Sequence, residues 1–210
     1  MIGNTAFLFD LDGVIIDTEP QYDIFWKAIA EKYQLGIEHF EKIIKGTVLP
    51  NILSRYFSMF SKTVQQEIVA ANQIFELEMD IIPVPGVLSF LENAKKAGIP
   101  MGLVTSSDDR KIEYTFSRLA IHQYFNTIVS ADRITKGKPD PMCYCLAAQD
   151  LGIPPENCYV FEDSFNGIKS GNAAGMKVIG LSTTNSAGSI ANNCIKVIPD
   201  FCNLSVLSFL

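Results

Sequence analysis

The 210 residues carry 17 Lys and Arg against 23 Asp and Glu, and the formal net charge of -6 offers no general attraction to nucleic acid or an anionic membrane surface. With 48% hydrophobic residues the chain has ample material for a core, and at this length it is one large domain or a core carrying an insertion. No apolar run is long enough to span a membrane, and Asp10 interrupts the N-terminal stretch before a signal-peptide pattern develops, so a cytoplasmic protein is expected.

The first element lies in Ala6 to Asp17, Ala-Phe-Leu-Phe-Asp-Leu-Asp-Gly-Val-Ile-Ile-Asp. An apolar run without alternation reads as a strand buried on both faces, and it ends in two acids one residue apart, Asp10 and Asp12, with Gly13 free to turn. Thr18-Glu19-Pro20-Gln21 has the form of a capping box with proline in the first turn, and Tyr22, Phe25, Trp26, Ile29 and Tyr33 follow at helical spacing. A short helix over Phe40 to Ile44 is expected to stop at Gly46. A third runs from Pro50 with Ile52, Leu53, Tyr56, Phe57 and Phe60 on one stripe, and a fourth carries Val64, Ile68, Ala71, Phe75 and Met79. Nothing between residues 18 and 81 reads as a strand. This stretch is a helical bundle inserted after the first strand, and Pro83-Val84-Pro85-Gly86 brings the chain back.

From Gly86 the pattern alternates between helix and strand, as in a parallel sheet with crossover helices. Helices are expected over Val87 to Ala97, Asp109 to Leu119 (Ile112, Phe116 and Leu119 inward), Met142 to Leu151 and from a Ser164 cap to Ala174. Strands are expected at Pro100 to Val104, Thr127 to Val129, Cys158 to Phe161 and Lys177 to Leu181, with an edge at Ile195 to Ile198. The fold class is α/β: a doubly wound, Rossmann-like parallel sheet formed by residues 1–16 and 86–210, with 17–85 as an α-helical insertion. The five cysteines form no Cys-x-x-Cys pair and read as free thiols, and His39 and His122 have no companion at metal-ligand spacing. A monomer fits the sequence, which sets no oligomeric state.

Three strands end in polar groups: Asp10 with Asp12, Thr105, and Glu162 with Asp163. Parallel strands of a doubly wound sheet point the same way, so these groups meet over one edge. Lys138, in Lys136-Gly137-Lys138-Pro139-Asp140-Pro141, lies in a loop on that side. Four carboxylates in one place repel one another and need compensation. If Asp12 is protonated as an acid, three charges remain for Lys138 and one divalent cation to offset, and an oxygen-rich set of this kind suits Mg2+. The ligand that completes such a site is a small-molecule phosphate ester.

These motifs resemble the haloacid dehalogenase (HAD) superfamily, in its phosphatase and beta-phosphoglucomutase-like group with a helical cap. The matching stretches are Asp-Leu-Asp-Gly-Val at 10–14, Thr105 after an apolar strand, Lys138 in Gly-Lys-Pro-Asp-Pro, and Glu162-Asp163-Ser164 leading into Gly167-Ile168 and Ala173-Ala174-Gly175-Met176. The resemblance implies a nucleophilic Asp10 that forms an aspartyl-phosphate, and an Asp12 that protonates the leaving oxygen and then activates water. It implies Thr105, Lys138 and the backbone N–H groups of Leu11, Asp12 and Ser106 as phosphate donors. Mg2+ would be held by Asp10, Asp163 and the backbone carbonyl of Asp12, with Glu162 a ligand or a neighbour of the ligands.

Within that superfamily, Asp12 and the metal set favour phosphoryl transfer over dehalogenation. Beta-phosphoglucomutases carry a histidine where this chain has Tyr22, and a cap arginine in the stretch matching Gly46 to Pro50, where this chain has none. A Mg2+-dependent sugar or polyol phosphatase is therefore expected, with a phosphosugar mutase as the alternative. A phosphonate hydrolase would need a cap lysine such as Lys27 or Lys32. A non-catalytic binding protein would be expected to have lost one of Asp10, Asp12, Lys138 or Asp163, and all four are present.

Overall fold

The computed structural model describes residues 4–45 and 47–209. The chain divides into two compact units, Met1–Asp17 with Ile81–Leu210, and Thr18–Asp80.

In the first unit β1 (Ala6–Phe9), β2 (Met101–Val104), β3 (Thr127–Val129), β4 (Cys158–Glu162), β5 (Lys177–Leu181) and β6 (Lys196–Ile198) form one parallel sheet in the order β3-β2-β1-β4-β5-β6. The first strand is central, and the chain winds outward from it in both directions. Its C-terminal end is thus the switch point where open sheets of this kind leave a crevice. Alternation explains why the strand is apolar throughout. Phe7 and Phe9 enter a core with Phe90, Phe161, Phe201 and Phe209, while Ala6 and Leu8 enter a second core with Val104, Tyr144, Val160 and Val178 on the opposite face. Phe9 stacks on Phe161, with ring centroids 4.7 Å apart and planes 7° from parallel. The crossover helices are α5 (Val87–Lys96), α6 (Asp109–Arg118), α7 (Met142–Leu151) and α8 (Phe165–Ala173), and the short α9 (Ala187–Ile190) precedes β6; numbering follows the whole chain.

The second unit holds α1 (Glu19–Lys32), α2 (Phe40–Ile43), α3 (Leu49–Tyr56) and α4 (Lys62–Glu78), and no strand among its described residues. Its core is aromatic, with Trp26, Phe40 and Phe57 buried among Ile29, Ile44, Ile52 and Ile68. The capping box expected at Thr18 does not form. Thr18 is the N-cap by position, but its backbone is already helical (φ -99°, ψ -18°) and its side chain makes no capping bond. Ser61, which the periodicity did not single out, does cap: its hydroxyl accepts from the Val64 N–H. The stop expected at Gly46 lies outside the described residues; α2 ends at Ile43.

Candidate active site

Strand parity delivers the acids. Asp10 has the same parity as Ala6 and Leu8, and Glu162 the same as Cys158 and Val160, so both carboxylates leave the sheet on the Tyr144 face. Phe9 pairs with Phe161, and the Asp10 N–H donates to the Phe161 carbonyl at 3.1 Å, which sets the two acids side by side. Lys138 crosses them from the loop before α7. Its Nζ donates to Asp10 Oδ1 at 2.6 Å, Glu162 Oε1 at 2.7 Å and the Val104 carbonyl at 3.1 Å, which uses its three donors.

Glu162 is fully buried, and its carboxylate is well supplied with donors. Oε1 also accepts from Tyr144 Oη at 3.0 Å, while Oε2 accepts from the N–H groups of Asp163 and Ser164 and from Ser164 Oγ. Ser164 then caps α8 by accepting from the Gly167 N–H. A side chain at Gly167 would displace the Glu162 carboxylate, since a Cβ there would lie 1.7 Å from Glu162 Oε1. Asp163 is held in turn by the Thr184 hydroxyl, and its backbone carbonyl accepts from Asn185 Nδ2 at 2.9 Å. Its carboxylate rests on Gly13, which adopts φ +73° and whose added Cβ would lie 2.0 Å from Asp163 Oδ2. The Gly13 carbonyl accepts from Thr183 Oγ1 at 2.6 Å.

Asp12 is held from the other side. Lys111 Nζ donates to Oδ1 at 2.7 Å and Oδ2 at 2.8 Å, and Ser107 Oγ donates to Oδ2 at 3.1 Å. Lys111 is 3% exposed although it lies in the first turn of a helix. Asp108 caps that helix by accepting the Lys111 N–H at 3.1 Å, so the cap sets the turn from which the lysine reaches inward. Thr105, buried at the end of β2, accepts from the Ser107 N–H at 3.0 Å. Leu11 is buried and its carbonyl closes the turn after β1 by accepting from Ile15 and Ile16, while Ser106 is exposed beside Thr105.

Oxygen atoms of Asp10, Glu162 and Asp163 lie within 4.8 Å of one another. Burial, with the charges of Glu162 and Asp12 adding to it, pushes Asp10 up to about 7 against the pull of Lys138. Burial works against the Lys138 ammonium, yet Asp10 and Glu162 outweigh it and hold its pKa well above the ordinary lysine value. Burial and then Glu162 push the Tyr144 phenol well above its usual range, which keeps it a donor. The structure thus gathers Asp10, Glu162, Asp163 and Lys138 in one cluster, with Thr105 and Asp12 tied to Ser107 beside it. Lys111 supplies a second cation beside the one the sequence pointed to, paired with Asp12. The four carboxyl groups thus outnumber the two ammonium groups by two.

Sequence reasoning missed Lys111, Ser107, Tyr144, Thr184 and Asn185. Lys27 and Lys32 are exposed, and Lys32 lies over the Tyr33 ring. Tyr22 packs on Phe75, and its hydroxyl donates to Glu76 at 2.7 Å. All five cysteines are free. Among the described residues no helix is long and apolar enough to cross a membrane.

A family model described as haloacid dehalogenase-like hydrolase matches residues 7–181. The chain is 34% identical to hexitol phosphatase A of Escherichia coli over 178 residues, covering 83% of this chain and 81% of that protein. It is 34% identical to the phosphorylated carbohydrates phosphatase of Thermotoga maritima over 185 residues, covering 83% of each. The crystal structure of a beta-phosphoglucomutase from Clostridium difficile superimposes with a TM-score of 0.80 at 26% identity, over 98% of this chain and 95% of that one.

Proposed function

This chain belongs to the haloacid dehalogenase-like hydrolases, and from that membership we propose that this phosphoric monoester hydrolase takes a sugar or polyol phosphate and turns it over through an aspartyl-phosphate on Asp10. The observation that carries the reading is the Asp10 carboxylate held against Lys138 at the C-terminal edge of the central strand, with Asp12 two residues on.

In the first half-reaction an Asp10 oxygen attacks phosphorus, and Asp12 gives its proton to the departing ester oxygen. Water then attacks the aspartyl-phosphate, its proton passes to Asp12, and the Asp10 carboxylate is released. Thr105, Lys138 and the backbone N–H groups of Leu11, Asp12 and Ser106 hold the phosphate oxygens.

The all-oxygen donor set, in which carboxyl groups outnumber ammonium groups, fits one Mg2+. Asp10, Asp163 and the backbone carbonyl of Asp12 would hold it. Glu162, whose oxygens already accept from Lys138, Tyr144 and Ser164, is assigned to orienting Lys138 and the α8 cap. When bound, the cation supplies positive charge against the transferring phosphoryl oxygens.

The helical insertion, 17–85 by sequence, is assigned the role of a cap that selects the leaving group. A cytoplasmic setting fits the free thiols. Tyr22, whose hydroxyl donates to Glu76, is a poorer proton shuttle than a histidine and favours water over a sugar hydroxyl as acceptor.

Phosphate release from a panel of hexose, pentose and polyol phosphates tests the reading. Release from several members, abolished by a chelator and by Asp10→Asn, is the expected result. Primer-dependent conversion of beta-glucose 1-phosphate to glucose 6-phosphate without phosphate release would overturn it in favour of the mutase.

A further inference from the structure

Two donors from one segment converge on the carboxyl group assigned above as the acid and base. Ser107 belongs to the loop after β2 and Lys111 to the first turn of α6, and Asp108 between them caps the helix. Their bonds to Asp12 span 95 and 99 residues of sequence, so neither is a local turn contact. A lysine 3% exposed has given up its hydration, and its two short contacts to one carboxylate replace that hydration with a fixed direction. The loop that presents Ser107 is anchored too: its N–H donates to Thr105 and its carbonyl accepts from Ala131.

We infer that Lys111, assisted by Ser107, is the positioning residue that fixes the side chain of Asp12 for proton transfer. The inference rests on the phosphatase reading and concerns a lysine to which that reading gives no part. The contacts suit both protonation states. Oδ2 accepts from both donors, so with a proton on Oδ1 the group stays tethered through Oδ2. In the first half-reaction the Asp10–phosphorus bond forms, the ester P–O bond breaks with its electron pair on the leaving oxygen, and the proton moves from Asp12 to that oxygen. In the second, a water oxygen bonds to phosphorus, the Asp10–phosphorus bond breaks, and the water proton returns to Asp12. The sum is phosphate ester plus water giving alcohol plus phosphate, with both aspartates restored.

A leaving group that needs no proton separates positioning from folding. A p-nitrophenolate departs unaided, whereas a sugar or polyol alkoxide does not. General acid catalysis is worth roughly 10²–10⁴-fold, so a misaimed acid forfeits part of that on the alkyl ester alone. In Lys111→Met, kcat/KM for the alkyl phosphate should fall about tenfold to a hundredfold further than kcat/KM for p-nitrophenyl phosphate. Ser107→Ala should shift the same ratio in the same direction by less, which keeps the test available if Lys111→Met does not fold. In an Asp12→Asn background, Lys111→Met should shift the ratio no further.

A ratio that is unchanged or rises in Lys111→Met overturns the inference, as does an undiminished shift in the Asp12→Asn background. Retained turnover in Asp10→Asn, or an Asp12→Asn variant that treats both esters alike, instead overturns the phosphatase reading itself.

Discussion

Lys138 and Lys111 both bring an ammonium group to an aspartate of the same site, yet they arrive from opposite kinds of sequence and are bound in opposite ways. Lys138 comes from an irregular loop and bridges two acids on adjacent strands, one of them fully buried. Lys111 comes from a regular helix and holds one acid whose side chain keeps 26% of its exposure and has a hydroxyl partner besides. The difference teaches where the site stores its stability. On the Lys138 side each charge depends on the others, whereas on the Lys111 side the charge serves mainly direction.

Replacing each lysine by methionine puts that contrast to the test, and the largest effect is expected at Lys138. Lys138→Met leaves Asp10 and Glu162 side by side without their shared cation. Turnover should drop by about 10²–10³-fold, and urea unfolding should show a loss of roughly 3–5 kcal/mol, the usual cost of leaving a buried charge unpaired. Equal stability of Lys138→Met and the parent would break the comparison at its stronger end.

Gly167→Ala reaches the same side without touching a charge. The new Cβ displaces Glu162 and through it the lysine, so about 1–3 kcal/mol of stability and a clear part of the activity should go together. Activity that survives a measured destabilisation would show that Lys138 does not depend on Glu162 for its place.

Lys111→Met should cost less in the same urea titration, about 1–3 kcal/mol, because Asp12 keeps Ser107 and some solvent. A loss as large as that of Lys138→Met would put the two lysines in one class. The smallest effect belongs to Gly188→Ala in α9, where an added Cβ meets nothing within 4 Å. It should leave kinetics alone and stabilise by about 0.4–1 kcal/mol, which gives the baseline for a glycine replaced without a clash.

The same contrast explains what could be read from the sequence. Asp10, Thr105, Glu162 and Asp163 stand at the ends of apolar runs, where a polar residue interrupts a strong signal and strand direction says where it goes. Lys138 stands in a turn whose residue types are conspicuous. Lys111 sits in Asp108-Asp109-Arg110-Lys111-Ile112-Glu113, a charged stretch on which helical periodicity predicts a solvated face. Only the tertiary placement of the helix start against the strand ends turns that face inward. The one available signal was position: the first turn of a helix that leaves a strand ending in chemistry. Tyr144 was hidden by an ordinary apolar pattern, since a phenol that reaches Glu162 occupies the place a core aromatic would. The capping box at Thr18 failed for the converse reason, because a local motif does not fix the backbone angle that gives it a function.

The bonds that hold the acids also say when in folding the site can exist. Lys138 reaches Asp10 across 128 residues and Thr183 reaches Gly13 across 170, so Asp10 and the turn beside it are completed by segments made long after them. Closing such loops carries an entropic cost that helices within one unit do not bear, and pairings of high sequence separation form slowly. During refolding, helical signal should return before activity does. Activity then serves as a reporter of finished topology, and a chain that has its helices but not its last strands should show none.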